Sequence, residues 1–169
     1  MGIIGVVITL VLLALIAVVS MYYGGDSVTE SGAKASATQV INNAQQVAGA
    51  VTFYSNDNGG VFPSDMAALV SGKYLKTIPS VPAGAEPFKL ATAAESAFAD
   101  VNTLYVANIN KPVCEKVLKS ANVSEADKKN LLDFAQKANA KTNGVNYPFF
   151  CFNSGTDNVN NASYTFVFK

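Results

Sequence analysis

The sequence predicts an α+β protein: a long N-terminal α-helix followed by a globular head of antiparallel β-sheet and short helices. Three observations lead to this prediction. Residues 1–23 are apolar and uncharged, residues 27–54 continue with apolar residues at helical spacing, and the later β-branched and aromatic runs show no βαβ alternation. Such strands pair antiparallel and pack on a helix. We therefore divide the chain into residues 1–25, the hydrophobic helix, and residues 26–169, the head.

The apolar run at the N-terminus needs a dry environment. As a helix, residues 1–23 would be about 34 Å long, which is enough to cross the hydrocarbon core of a bilayer. The run is apolar on every side, so that lipid or other copies of the helix must surround it. If copies of the helix surround it, these residues would form the contact: Gly2, Ile3, Ile4, Gly5, Val7, Ile8, Val11, Leu12, Ala14, Leu15 and Val18. A plain monomeric membrane anchor is the alternative, and it uses the same composition.

The start of the chain lacks the basic residues that normally precede a signal anchor. The simplest explanation is that a basic leader has been removed, which makes Met1 a processed N-terminus with a free amine. The alternative is an initiator methionine followed by weak topology signals.

Two glycines, Gly24 and Gly25, separate the apolar run from the amphipathic section. Each glycine costs a helix interior about 1 kcal/mol relative to alanine. We hypothesise that they form a joint, which would make an assembly extensible; the alternative is a simple helix end between an anchor and a domain. Beyond the glycines, one face of the second section, predicted over residues 27–54, carries the apolar residues Ala37, Val40, Ile41, Ala44, Val47, Ala48 and Val51.

Short elements are predicted in the first part of the head. Ser64 can cap a helix over residues 65–70, which Gly72 ends. Residues 88–90 form a candidate strand, and residues 102–109 form a better one because they are rich in β-branched and aromatic residues.

The second part of the head alternates short helices with aromatic strands. Pro112 fits the first turn of a helix that ends near residue 122. Ser124, with Asp127 three residues later, resembles a capping box and begins a helix that ends near residue 144. Residues 147–152 and 163–169 are aromatic and strand-like, and the second of these places Tyr164, Phe166 and Phe168 on one face.

Composition and charge exclude several classes of function. The chain has a formal net charge of zero and contains neither arginine nor histidine. A nucleic-acid-binding surface needs a basic face, so direct binding of nucleic acid is not expected. Without histidine, the usual general base and most zinc sites are missing, and the scattered carboxylates form no paired motif. We expect no enzymatic activity, no metal and no cofactor.

Cys114 and Cys151 are the two cysteines of the chain. An even count in an exported chain favours a disulfide, and closing a loop of this length stabilises a fold by about 3–4 kcal/mol in the chain-entropy model. Two buried free thiols are the alternative. The segment between the cysteines is rich in lysine and either contacts an acidic partner or forms a solvated face; its interleaved acids favour the solvated face.

The order of these elements resembles a type IV pilin of the b subclass. One feature is the uninterrupted apolar helix that starts at residue 1. Its amphipathic continuation ends in residues 54–60 (YSNDNGG), and residues 62–79 (FPSDMAALVSGKYLKTIP) are similar to a segment that follows this helix in many pilins and pseudopilins. The cysteine pair near the C-terminus, with a final strand after it, is the fourth feature.

The resemblance implies a structural subunit of an extracellular filament that polymerises through its N-terminal helix and serves adhesion, motility, aggregation or DNA transfer. The implied partners are other copies of the chain in a helical filament, the pilus assembly machinery, and host or cell surfaces. The implied location is the inner membrane before assembly and the extracellular pilus afterwards. The N-terminal residue of the family is often methylated and often Phe, whereas it is Met1 here.

One position departs from the family. Most type IV pilins carry a glutamate near the mature N-terminus that is thought to pair with the free amine of a neighbouring subunit, and that position is Gly5 here. The resemblance therefore implies a divergent pilin that assembles through apolar contacts, a minor subunit, or a mature terminus other than Met1. Two other interpretations remain: a pseudopilin of a type II secretion system, which the cysteine pair disfavours, and a monomeric membrane-anchored binding module.

Overall fold

The computed structural model describes residues 3–91, 103–133, 147–155 and 163–169, with side chains from residue 30 onward. Over these residues the chain is α+β, with a long N-terminal helix, short helices and an antiparallel sheet. The long helix, α1, is followed in chain order by α2 (Met66–Ser71), β1 (Lys89–Ala91), β2 (Thr103–Ile109), α3 (Lys111–Ser120), α4 (Glu125–Leu132), β3 (Phe149–Asn153) and β4 (Tyr164–Phe168).

Helix α1 spans Ile3–Asp57 without interruption. Its 55 residues extend about 82 Å at a rise of 1.5 Å per residue. The helix predicted over residues 27–54 is confirmed and joins the apolar run as one element. Small and β-branched side chains make up most of the buried face of its head half, which lets α3 approach closely: Ala33, Ala37, Val40, Ile41, Ala44, Val47 and Ala50.

Within the described residues the strands form a four-stranded antiparallel sheet in the order β1-β2-β4-β3. The C-terminal strand β4 is central, with Phe166 opposite both Val106 of β2 and Cys151 of β3. The β2–β4 register shifts between Val106 and Ile109, where Asn108 adopts a left-handed φ of 59°. Asparagine tolerates this conformation better than most residues, which fits a local irregularity in the pairing.

Both faces of β4 are buried. Successive residues of a strand point to opposite faces, and Phe166 and Val167 are both fully shielded from solvent. Phe166 shares the face of Cys151, which is bonded to α3, so α3 lies on that side. The predicted face of Tyr164, Phe166 and Phe168 follows from this alternation, although Phe168 is only half-buried. The burial of Val167 was not predicted.

Helix α2 begins one residue later than predicted. The cap is Asp65 and not Ser64, because a carboxylate oxygen of Asp65 accepts a hydrogen bond from the backbone N–H of Ala68 at 2.8 Å. The predicted end is confirmed: Gly72 is the C-terminal cap, and its N–H donates to the carbonyl of Ala68 at 3.0 Å. The next residue, Lys73, has a left-handed φ of 65°.

Helices α3 and α4 begin as predicted and end earlier. Pro112 lies in the first turn of α3, whose cap is Asn110, and Ser124 caps α4. Helix α3 ends at Ser120, before the predicted end near residue 122. Helix α4 ends at Leu132 and not near residue 144, because Asp133 is already extended. The rest of that predicted helix, residues 134–144, lies outside the described residues.

The strand predictions are confirmed to within two residues. The run predicted over residues 88–90 is β1 at Lys89–Ala91, and the run over 102–109 is β2 at Thr103–Ile109, with residue 102 outside the described residues. The run over 147–152 begins two residues later, at Phe149, because Tyr147 and Pro148 precede the first ladder pair. Phe149 and Phe168, which are opposite in the register, stack with ring centroids 6.2 Å apart.

Candidate assembly interface

The predicted packing residues lie along the first five turns of α1, with one exception. Ile3, Ile4, Gly5, Val7, Ile8, Val11, Leu12, Ala14, Leu15 and Val18 are helical. Their side chains are outside the described residues, as are Met1 and Gly2 altogether. Their role in packing therefore stays a prediction.

Among the residues whose side chains the structure describes, no helix combines the length and the apolar character that a membrane crossing requires. The membrane segment proposed for residues 1–23 stays a prediction from the sequence, because the side chains of that segment lie outside the description.

Helix α1 is longer than the part of it that belongs to the head. The part of α1 that belongs to the head, from Asp26 to Asp57, is about 48 Å long. The part that precedes it, from Ile3 to Gly25, adds about 34 Å. Since the head half of α1 is held in the core of the head, most of the apolar run must extend beyond it.

The glycine pair proposed as a joint lies inside this continuous helix. Gly24 and Gly25 both have helical backbone in the isolated chain. Two adjacent glycines weaken a helix by about 2 kcal/mol relative to alanine. The helix is therefore formed at this point and locally weak, and the joint stays a hypothesis about the assembled or stretched state.

An ion pair ties α1 to α3 where the head begins. The Lys116 ammonium of α3 donates a hydrogen bond to the carboxylate of Glu30 on α1, although the two residues are 86 positions apart. This hydrogen bond, the Lys116 charge and then the charges of Lys119 and Lys34 hold the pKa of Glu30 below its ordinary value. The four side chains line a groove of about 260 Å³ between the two helices.

The predicted disulfide is present, which rules out the alternative of two free thiols. Cys114 of α3 and Cys151 of β3 are joined with an S–S distance of 2.04 Å, and neither residue has exposed surface. The bond fixes α3 against the strand that pairs with β4. It therefore braces the C-terminal half of the head against the part that packs on α1.

A hydrogen-bond cluster fixes the start of α4. The Tyr147 hydroxyl donates to the Asp127 carboxylate at 2.7 Å and accepts from the Ser124 N–H at 3.3 Å. Ser124 Oγ also donates to Asp127 and accepts from its N–H. The hydrogen bonds from Tyr147 and then Ser124 hold the pKa of Asp127 below its ordinary value. The predicted capping box is thus half correct, since Tyr147 takes the N–H that the acid of a capping box would accept.

The segment that resembles pilins, residues 62–79, is held against α1 by Tyr74 and by Ser80, the residue that follows the segment. The Tyr74 hydroxyl donates to the Asp57 carboxylate at 2.9 Å, which raises the pKa of Tyr74, and the Tyr74 ring meets Tyr54 edge to face. Just after the segment, the Asn43 side-chain amide donates to the carbonyl of Ser80 at 2.8 Å. These contacts hold residues 62–79 against the head half of α1.

Among the described lysines between Cys114 and Cys151, some are paired with carboxylates and others are exposed. Lys116 is paired with Glu30, and Lys128 is paired with Glu125 at 2.6 Å within α4. Lys119 and Lys129 are exposed, and the remaining lysines of the segment, at 137 and 141, lie outside the described residues. The prediction of a solvated face thus fits α4 better than α3, where two lysines line the groove against α1.

A few large apolar side chains are exposed on the described part of the head. Phe53, on α1, is 68% exposed, Val61 is 60% exposed, and Ile78 is 43% exposed. Near the C-terminus, an apolar cavity of about 150 Å³ lies between α1 and the sheet, with Phe62, Leu104 and Phe168 in its wall.

The structure shows contacts that the sequence did not indicate. Glu30 with Lys116, Tyr74 with Asp57 and Tyr147 with Asp127 are separated by 86, 17 and 20 positions. No local pattern pairs residues at such distances, because the pairing is set by how the helices pack. For Asp127, its position three residues after a serine was the one available signal.

Comparison of the chain with protein-family models, with curated proteins and with solved structures finds no match. The resemblance to pilins therefore rests on the sequence features given above. The fold is compatible with a pilin, since it has the long N-terminal helix packed on an antiparallel sheet, but an architecture of this kind does not by itself determine function.

Proposed function

We propose that this protein is a non-enzymatic structural subunit of an extracellular filament similar to a type IV pilus. Copies of the chain wait in the inner membrane, pass to the pilus assembly machinery, and polymerise through the apolar half of α1. The heads then form the outer surface of the filament, where they meet host or cell surfaces. Adhesion, motility, aggregation and DNA transfer are functions that such a polymer serves.

The observation that carries the proposal is the continuity of α1. One helix of 55 residues begins as an uncharged apolar rod and ends as the buried spine of the head. A continuous helix couples the position of the rod to the position of the head. Copies that pack side by side through the rod would therefore hold their heads in a regular array.

The driving force for assembly differs from that of folding in water. A helix that leaves lipid for a helix bundle gains little hydrophobic energy, because both surroundings are apolar. Close packing of small and branched side chains must therefore supply most of the free energy of assembly. Gly5 and Ala14 would let helices approach closely. A contact that joins two different surfaces of the same chain is heterologous. Such a contact produces an open helical filament when it does not close into a ring. Apolar contacts would then replace the ion pair that Gly5 cannot make.

Two other functions would use the same chain. A pseudopilin of a type II secretion system would form a short periplasmic fibre, and a monomeric binding module would use residues 1–25 only as an anchor. The internal disulfide fits an oxidising environment, which both the periplasm and the outside of the cell provide.

Electron microscopy of material sheared from the cell surface tests the proposal. We expect long filaments in which this chain is the repeating subunit. Val11→Asp places a charge in a segment that has none, so it should abolish the filaments. Thr77→Asp, which adds the same charge to an exposed position on the head, should leave them unchanged. Only detergent-extracted monomers in the wild type would contradict the proposal, and short fibres confined to the periplasm would favour the pseudopilin.

A further inference from the structure

The groove between α1 and α3 gathers positive charge. Lys34 of α1 and Lys116 and Lys119 of α3 line it, and Glu30 is the one carboxylate among the described side chains of its wall. The groove therefore has a net charge of +2. Asp26, one helical turn before Glu30 in the sequence, lowers the sum to +1 and does not reverse it.

The hydrogen-bond donors of the groove are its ammonium groups. Two hydroxyl side chains also line it, but Thr38 donates to the carbonyl of Lys34 and Ser120 donates to the carbonyl of Lys116, each at 2.9 Å. Their protons are thus used within their own helices. A ligand would meet three ammonium groups with one carboxylate among them, which suits an anion with several acceptor oxygens, such as a phosphate group.

The position of the groove points to the source of that phosphate. Glu30 follows Tyr23 by seven residues and Lys34 follows Tyr23 by eleven, which is about 10 Å and about 16 Å along a helix. The polar headgroup layer extends about 5–8 Å beyond the hydrocarbon core of a bilayer. If residues 1–23 occupy that core, the groove lies just outside the headgroup layer, and the long side chain of Lys34, which leans toward the N-terminus of its helix, reaches back toward it.

We propose that the groove lined by Lys34, Lys116 and Lys119 binds the phosphate of an anionic phospholipid while the subunit waits in the membrane. The inference rests on the membrane stage of the proposed function and not on filament formation. Lysines near an anionic membrane surface each raise binding roughly fivefold. The groove would hold the head upright at the membrane surface and would lose its lipid when the helix leaves the bilayer.

Native mass spectrometry of the full chain in detergent tests the inference. The monomeric chain is mixed with equal amounts of phosphatidylglycerol and phosphatidylcholine, and the bound lipids are counted. We expect the wild type to retain phosphatidylglycerol in excess. Replacing all three lysines with glutamine (K34Q, K116Q and K119Q) should lower the ratio of the two lipids at least tenfold, since three contributions of roughly fivefold are removed.

Two further variants separate a binding site from general attraction. K76Q, K111Q and K129Q together remove the same charge from exposed positions elsewhere on the head, and they should leave the lipid ratio unchanged. Glu30→Gln removes the competing carboxylate and should raise the ratio. A groove that served only to join α1 to α3 would not produce this opposite change, because Glu30→Gln breaks the same ion pair as Lys116→Gln.

Three outcomes would overturn the inference: equal retention of the two lipids, equal loss in the two triple variants, or displacement of the lipid by millimolar inorganic phosphate, which would indicate a site for free anions. Because the measurement uses monomers, its failure is distinct from the absence of filaments, which the Val11→Asp experiment detects.

Discussion

The two halves of α1 differ in how their apolar side chains can be shielded from water. The head half has one apolar face, and the sheet, α2 and α3 cover that face within the same chain. The first half is apolar on every side in sequence, and it precedes the part of the helix that the head covers. The comparison teaches that one continuous helix can be shielded within its own chain at one end and require lipid or further copies around it at the other.

The amide-rich outer face of the head half sharpens this contrast. From Ala35 to Asn56 the helix contains no charged residue, although Asn42, Gln45 and Gln46 are exposed. A helix face that contacts only solvent usually carries charged residues such as lysine and glutamate. The charged residues of α1 are therefore confined to the stretch from Asp26 to Lys34 and to Asp57 at its end, and the helix between them is uncharged.

The largest expected effect comes from placing the same charge in each half of the helix. Val47 is fully buried in the head, so Val47→Asp should cost more than about 4 kcal/mol and unfold the head, because the carboxylate has no partner there. Circular dichroism during thermal unfolding of the full chain in detergent measures this.

Val11→Asp is the matched change in the first half. It should alter the stability of the head by less than about 0.5 kcal/mol, although it should abolish filaments. A head that unfolds equally in both variants would show that the two halves are not energetically separate, and the comparison would then be wrong.

The next effect concerns the disulfide, which belongs to the head alone. Replacing both cysteines with alanine (C114A and C151A) should lower the free energy of unfolding by about 3–4 kcal/mol, because the unfolded chain regains the entropy of an open loop. Guanidinium unfolding monitored by circular dichroism measures the loss. Wild-type protein that is reduced while unfolded should show the same loss, and a loss below about 1 kcal/mol in both would contradict the bracing role.

The smallest expected effect lies at the boundary between the halves. Gly24→Ala together with Gly25→Ala should strengthen the helix by about 2 kcal/mol and leave the head unchanged. If the glycines act as a joint, filaments of this variant should extend less than wild-type filaments when pulled in an optical trap. Equal extension would remove the joint hypothesis and leave the glycines as a passive connection.

The sequence was most informative where one pattern extends over many residues. The helical spacing of Ala37, Val40 and Val47 predicted the buried face of α1, and β-branched and aromatic runs predicted the strands to within two residues. The even cysteine count predicted the disulfide. In each case the local pattern and the tertiary packing favour the same structure, so the one could be inferred from the other.

The sequence was least informative where neighbours compete or distant residues meet. Ser64 and Asp65 are both good caps, and only the path of the chain into α2 selected Asp65. The contact of Glu30 with Lys116 depends on how α3 lies on α1, which periodicity does not specify. For the candidate interface, the sequence supplied the residues, and the structure added the continuous helix that connects them to the head.

The complete burial of the Cys114–Cys151 bond determines when, relative to folding of the head, the two thiols can be oxidised. Small oxidants and reductants cannot reach sulfurs that have no exposed surface. The thiols must therefore be oxidised while the head is still opening and closing, before its strands settle. Once the head has closed, a reducing environment attacks the bond only at the rate of unfolding, so that maturation of the head is chemically difficult to reverse.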